Sequence, residues 1–169
     1  MEVCMRPQLT AEPLLNQQTV NINDPKEAAR LSSALPAVIQ MLEQFHLTRE
    51  DQAILLGVST RTLQRAVHGD LPALSPDQIT RMSFITGIYK ALHILFNDAT
   101  ASGWFKRPNR VYPFLGRTPL DYLRQTGIPG LQDTRRLLDG DRSGQFSSTP
   151  ASRVAAEQLP FQISPDLLR

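Results

Sequence analysis

The chain has 169 residues, 41% apolar and 20% charged, enough for one domain or for two small ones sharing a core. Aromatics at 7% and the near absence of alternating β-branched runs favour an all-α fold, and a formal net charge of +2 does not by itself argue for nucleic acid. Fifteen of the 18 basic residues are arginine, whose planar fork suits guanine, phosphate and carboxylate partners, although genomic base composition also enriches it. Cys4 is the single cysteine, which excludes a disulfide framework and a thiolate metal site. The opening MEVCMRPQLT has no apolar stretch of the signal-peptide kind, and no run is long enough to span a bilayer. A soluble cytoplasmic protein with no membrane partner is expected.

Residues 1–23 read as an N-terminal arm, with Pro7, Pro13, a Gln/Asn-rich patch and a Leu14-Leu15 pair that could dock. Residues 24–105 read as a helical domain, 106–146 as a second helical module, and 147–169 as a tail. Asp24-Pro25-Lys26-Glu27 opens the first helix with an aspartate cap, a proline at the first position and a glutamate behind it. Ala28, Leu31, Leu35, Val38, Ile39, Leu42 and Phe45 continue a 3.6-residue apolar stripe. Pro36 interrupts it, so a kink or two consecutive helices is expected.

Thr48 to Gly69 reads as two short helices joined by a tight turn, the arrangement of a helix-turn-helix DNA reader. Thr48 with Asp51 is a capping box, and Ile54, Leu55 and Leu56 are expected to supply the buried side of the first helix. Ala53 is small where a second helix crosses, and Gly57 serves a turn that needs positive φ. Ser59 caps a second helix running to about His68, with Gly69 closing it. Val58, Leu63 and Val67 are expected inside. Ser59, Thr60, Arg61, Gln64, Arg65 and His68 then form a candidate DNA-binding set: arginine for guanine edges, glutamine for adenine, threonine for phosphate or a thymine methyl. The ordinary alternative is an αα-hairpin with a solvated polar face.

Leu71–Leu74 is a connector, and Ser75-Pro76-Asp77-Gln78 starts the longest helix, apolar around most of its circumference. Such a helix is either the central post of the domain or half of a dimer seam. Tyr89 and His93 are expected to pack in the core. Asp98 is expected to cap a short helix carrying Trp104 and Phe105. From Lys106 to Arg117 basic and aromatic residues interleave without period. This mixture fits a loop pinned to the core by its rings, or a platform for single-stranded nucleic acid. Thr118-Pro119-Leu120-Asp121 starts another helix with Leu120 and Leu123 inward, ending at Gly127. Pro129–Leu138 is the last expected helix, stopped by Gly140, with Leu131, Leu137 and Leu138 buried. The segment LPFQISPDLLR near the end either docks on a partner or is disordered.

No catalytic constellation is present. Nucleophile elbow, P-loop, dinucleotide fingerprint and HExxH are all missing, and His46, His68 and His93 are isolated. Asp139-Gly140-Asp141 lacks the remaining ligands of a calcium loop and is expected to be a turn. The expectation is a binding protein, not an enzyme, with no cofactor and no metal.

Pro108–Phe146 resembles the C-terminal toxin-binding module of the Xre/MbcA/ParS antitoxins, partners of RES-domain toxins. The resemblance rests on Pro108-Asn109, Gly116-Arg117-Thr118-Pro119-Leu120-Asp121-Tyr122-Leu123, Gly127, Arg135-Arg136-Leu137-Leu138 and Gly144-Gln145-Phe146. With the helix-turn-helix it covers most of residues 30–146. The family usually places two glycines before the arginine, and here Leu115 takes one position. Val111–Phe114 makes the preceding loop slightly longer, and the tail after Phe146 exceeds the usual end. The resemblance implies an Xre-like helix-turn-helix domain followed by a small toxin-binding module. It implies a cognate RES-type toxin that degrades NAD or transfers ADP-ribose, blocked at its active site. It also implies repression of the chain's own operon by binding operator DNA; a homodimer is expected because single helix-turn-helix units usually read two half-sites. Arg117, Arg135, Arg136, Arg142, Gln145 and Phe146 are the toxin-binding candidates it suggests. Arg117 could equally anchor its loop by bonding backbone carbonyls. Deleting residues 140–169 should then spare the fold and abolish neutralisation. The competing reading is a stand-alone repressor whose C-terminal helices dimerise or sense a ligand.

Overall fold

A computed structural model of the chain describes residues 20–143. Their helices are α1 Pro25–Ser32, α2 Leu35–Gln44, α3 Arg49–Leu56, α4 Thr60–Val67, α5 Pro76–Leu95, α6 Asp98–Ser102, α7 Pro119–Thr126 and α8 Ile128–Ser143, with a 3-10 turn at Trp104–Lys106. No strand occurs among the described residues, in keeping with the all-α reading. No helix there is long and apolar enough to cross a membrane. Residues 1–19 and everything from Gly144 on, including the Leu14-Leu15 pair, Gln145, Phe146 and the LPFQISPDLLR segment, lie outside the described residues.

Helix starts follow their local caps. Asp24, Thr48, Ser59, Ser75 and Thr118 each accept a bond from a backbone N–H of the following first turn, satisfying a donor that has no partner within the helix. Pro36 resolves into two helices rather than a kink: α1 stops at Ser32 and the proline sits in the first turn of α2, where its missing N–H costs nothing.

α5 is the central post. It packs on α1, α2, α3 and α6, and most extensively on α8. One continuous core joins Leu35, Ile39 and Leu42 of α2, Leu55 and Leu56 of α3, Leu63 of α4, Ile85, Ile88 and Leu92 of α5, Leu123 of α7 and Leu131 and Leu138 of α8. Tyr89 and His93 belong to its margin: the Tyr89 hydroxyl donates to Gln44 Oε1 at 2.7 Å, and His93 Nδ1 lies 2.9 Å from the Tyr89 carbonyl. A run of edge-on and tilted rings crosses the molecule. Phe45 meets Phe105 at 4.8 Å, Phe105 meets Trp104 at 5.3 Å, Trp104 meets Phe114 at 5.6 Å and Phe114 meets Tyr122 at 5.5 Å. Of the two aromatics expected to pin the 106–117 loop, Phe114 is buried and does so, and the loop is closed by backbone bonds between Asn109 and residues Gly116 and Arg117. Tyr112 is the exception, 71% exposed.

Several local expectations are corrected. Ile54 is 46% exposed, while Asp51 and Gln52 are buried beside Leu55 and Leu56, because both polar side chains find partners there. Val67 is 49% exposed, and Ala66 takes the inward position with Leu63, the smaller residue suiting the contact between α2 and α4. Asn97, not Asp98, caps α6 by accepting from Thr100 N, and Trp104 and Phe105 sit in the separate 3-10 turn. The last helix does not stop at Gly140. It runs on to Ser143, so Asp139-Gly140-Asp141 is helical rather than a turn. A mid-helix glycine costs about 1 kcal/mol. Here the helix is held by buried Leu138 and by the Arg135–Asp139 and Arg142–Asp139 pairs around the glycine. Deleting 140–169 would therefore cut into a packed helix.

Candidate functional site

The geometry of the helix-turn-helix begins at its turn. Gly57, at φ +67, ends α3 in the left-handed region that a side chain resists. The carbonyls left without partners at the end of α3 are taken up by α5. Gln78 Nε2 donates to Gly57 O at 2.8 Å, and Arg81 Nη1 donates to Leu55 O at 3.4 Å while its Nε pairs with Asp77 at 2.8 Å. A cation at the C-terminal end of a helix also meets the negative end of its dipole. The turn is thus held from below, and α4 is held by Leu63 at 0% and Ala66 at 1% exposure.

With that face buried, the opposite side of α4 stands in solvent. Thr60, Arg61, Gln64, Arg65 and His68 are all exposed and line one open concavity of about 900 Å³. The exposed set named from sequence is therefore brought together on a single surface. Ser59 works first as the cap, accepting from Thr62 N at 3.1 Å and sharing a 2.8 Å bond with Thr62 Oγ1. Three residues of this surface were missed, the first being Val67, which was expected inside. Arg49, at the start of α3, lines the same concavity and pairs with Glu43 at 2.8 Å. Asp70 also lines it, and its Oδ2 accepts from Arg65 Nε at 2.6 Å. Its position just past Gly69 is the one sequence signal that could have placed it at the helix end.

The second module is tied to this reader by charge. The Asp51 side chain, 3% exposed, accepts through Oδ2 from Thr48 N and Thr48 Oγ1, and through Oδ1 from Arg124 of α7. Burial raises the carboxyl's pKa, but the hydrogen bonds from Thr48 and Arg124 outweigh it and hold the group below the ordinary carboxylate value. One carboxylate thus caps the first helix of the reader and receives the arginine of the module.

The toxin-binding candidates fall into different settings. Arg117 braces its own loop: Nε donates to Phe114 O at 3.3 Å, Nη1 donates to Gln125 Oε1 at 3.1 Å, and the guanidinium lies 5.1 Å from the centre of the Tyr122 ring. Arg135 lies across α5, where a Cβ on Gly87 would come within 1.9 Å of its Nη1, and its Nε bonds Asp139 at 2.6 Å. Arg142 approaches Asp139 at 3.6 Å. Arg136 is exposed, and Gln145 and Phe146 lie outside the described residues. Sequence reasoning did not single out the tip of the preceding loop as exposed. Val111, Tyr112 and Leu115 are 54, 71 and 68% exposed there, with Leu115 at φ +52. Tyr122 links α7 to α8 by donating to Asp133 Oδ2 at 3.1 Å. Burial, with this bond behind it, raises the phenol above its ordinary value. No group of three or more His, Cys, Asp or Glu side chains able to hold a metal occurs among the described residues.

Comparison with known proteins finds two family matches. Residues 24–87 match the antitoxin Xre-like helix-turn-helix domain, and residues 91–144 match the antitoxin Xre/MbcA/ParS C-terminal toxin-binding domain. An uncharacterized protein of Sinorhizobium fredii (strain NBRC 101917 / NGR234), y4oB, is 33% identical over 122 residues, covering 70% of this chain and 91% of its own length. No solved structure matches. A helix-turn-helix domain joined in one chain to a toxin-binding domain places this protein in the Xre/MbcA/ParS family, as the antitoxin of a toxin–antitoxin pair.

Proposed function

We propose that this antitoxin neutralises a cognate RES-domain toxin, one that consumes NAD or transfers ADP-ribose, by occupying its active-site cleft, and that it represses its own operon from the same chain. It acts in the cytoplasm by binding rather than by catalysis. The supporting observation is the exposed side of α4. Five side chains of base- and phosphate-contacting type share one surface, and the buried side of the helix fixes their orientation. Ser59, Thr60, Arg61, Gln64, Arg65 and His68 carry the DNA contact in this reading. A homodimer would present two such helices to half-sites about 34 Å apart, one turn of the duplex. Residues 24–105 form the reading domain and 106–146 the toxin-binding module, flanked by an arm at 1–23 and a tail at 147–169.

For the toxin, Arg136, Arg142, Gln145 and Phe146 would supply the contacts at and beyond the end of α8, with arginines suited to acidic or polar groups of a nucleotide cleft. Arg117 and Arg135 would act by shaping the module, since both are engaged within it.

The test is co-expression with the neighbouring reading frame. Arg61→Ala should weaken binding to the operator while growth rescue persists, and ending the chain at Ser143 should keep the fold while rescue is lost. Equal loss of both activities in Arg61→Ala, or rescue by the shortened chain, would count against two separable surfaces with a C-terminal plug.

A further inference from the structure

Asp70 is a misplaced charge for a surface that meets phosphates, since a carboxylate there is repelled by the DNA backbone. The local fold nevertheless drives it onto the reading face. Gly69, at φ +86, closes α4 with two backbone bonds, Gly69 N to Ala66 O at 3.1 Å and Asp70 N to Arg65 O at 3.0 Å. These are the paired bonds of a Schellman turn, which folds the chain back over the last helical turn. Asp70 is thereby fixed to Arg65 twice, by its backbone N–H and by the 2.6 Å bond its Oδ2 accepts from Nε. Among the described residues, Nη1 and Nη2 of Arg65 make no hydrogen bond to protein, and Arg65 lines the open concavity. The bond from Arg65 holds the Asp70 carboxyl below its ordinary value, so the pair stays charged through the neutral range.

We propose that Asp70 is a positioning residue for base readout: it grips Arg65 by Nε so that Nη1 and Nη2 meet O6 and N7 of a guanine end-on. An unheld arginine can turn to the nearest phosphate, whereas one fixed by its Nε keeps the bidentate geometry that distinguishes guanine. The charge of Asp70 lowers general affinity, and its grip raises discrimination. This inference rests on the DNA-reading function proposed above.

The test uses the full chain, a duplex it selects from a randomised pool, and a scrambled duplex of equal length, read by fluorescence anisotropy. Asp70→Ala should bind the scrambled duplex as tightly as the parent chain or several-fold more tightly. Its selected-to-scrambled ratio should fall by roughly 5–10-fold, with sensitivity to 7-deazaguanine lost at one position. Asp70→Asn keeps an acceptor for Nε without the charge, so it should bind scrambled DNA like the alanine variant yet recover part of the ratio. In an Arg65→Ala background, Asp70→Ala should leave the ratio unchanged. The inference fails if Asp70→Ala shifts both affinities by one factor, or if its effect on the ratio survives without Arg65. A parent chain that selects no sequence overturns the DNA-reading function itself, and this inference with it. Thermal melts of each variant separate these outcomes from loss of fold.

Discussion

Replacing Arg124 with methionine tests whether the module and the reader form one cooperative body. Methionine keeps much of the stem's volume and removes the guanidinium. The Asp51 side chain, 3% exposed, then loses its cationic partner and retains only the bonds from Thr48 N at 3.3 Å and Thr48 Oγ1 at 2.9 Å. A hydrogen bond to a charged group contributes about 1.5–3 kcal/mol. The Arg124 side chain is 40% exposed, so water replaces part of what is lost. A cost of about 1–2 kcal/mol follows, or roughly 3–8 °C in Tm for a chain of this size. The sign of the pH dependence is also set. The Asp51 carboxyl is held below its ordinary value, so its contribution is complete above the unfolded pKa and is lost as pH falls through the folded one. The difference between parent and Arg124→Met should therefore be full at pH 7 and shrink below about pH 4. Urea unfolding at both pH values, followed by far-UV circular dichroism, measures it. A shift under about 0.3 kcal/mol at pH 7, or one that grows on acidification, would refute the assigned pairing.

Three further outcomes follow from single positions. Thr134 is 0% exposed and its Oγ1 has no hydrogen-bond partner among the described residues, so Thr134→Val should raise stability by about 1 kcal/mol in the same urea assay. Leu115 sits at φ +52 and is 68% exposed, so Leu115→Gly should gain roughly 0.5–1 kcal/mol by relieving the backbone while giving up little burial. Gly57→Ala should cost about 1–2 kcal/mol, because alanine resists φ +67 and its Cβ would stand 3.0 Å from Arg81 Nε. A neutral Gly57→Ala in thermal melts would mean that the turn has another accessible geometry.

Most helix starts were legible in the sequence because a cap and the amide it serves lie within three residues of each other. Thr48 with Asp51, Ser59 with Thr62, Ser75 with Gln78 and Thr118 with Asp121 are all such pairs. The glycine at the turn and the polar side of α4 were legible for the same reason, since period and φ preference are properties of short stretches. The resemblance of residues 108–146 to a toxin-binding module likewise rests on runs of contiguous residues.

What escaped the sequence depends on partners brought close only by folding. Asp51 reads only as a cap until Arg124, 73 positions along, also reaches its carboxylate, and Ile54 reads as core although it stands 46% exposed. Gly140 reads as a stop until Leu138 and the aspartate–arginine pairs carry α8 past it. Arg135 reads as a free contact until Gly87 of α5 gives it a bed, and Arg65 reads as a free reader until Asp70 turns back to hold it. Hydrogen bonds and side-chain periods act over one helical turn and are written in neighbouring residues, whereas desolvating a charge or continuing a weak helix is decided by whatever surface packs against it. The sequence by itself therefore determined where the helices begin and which polar side chains share a face, and only the tertiary structure decided which of those side chains remain available.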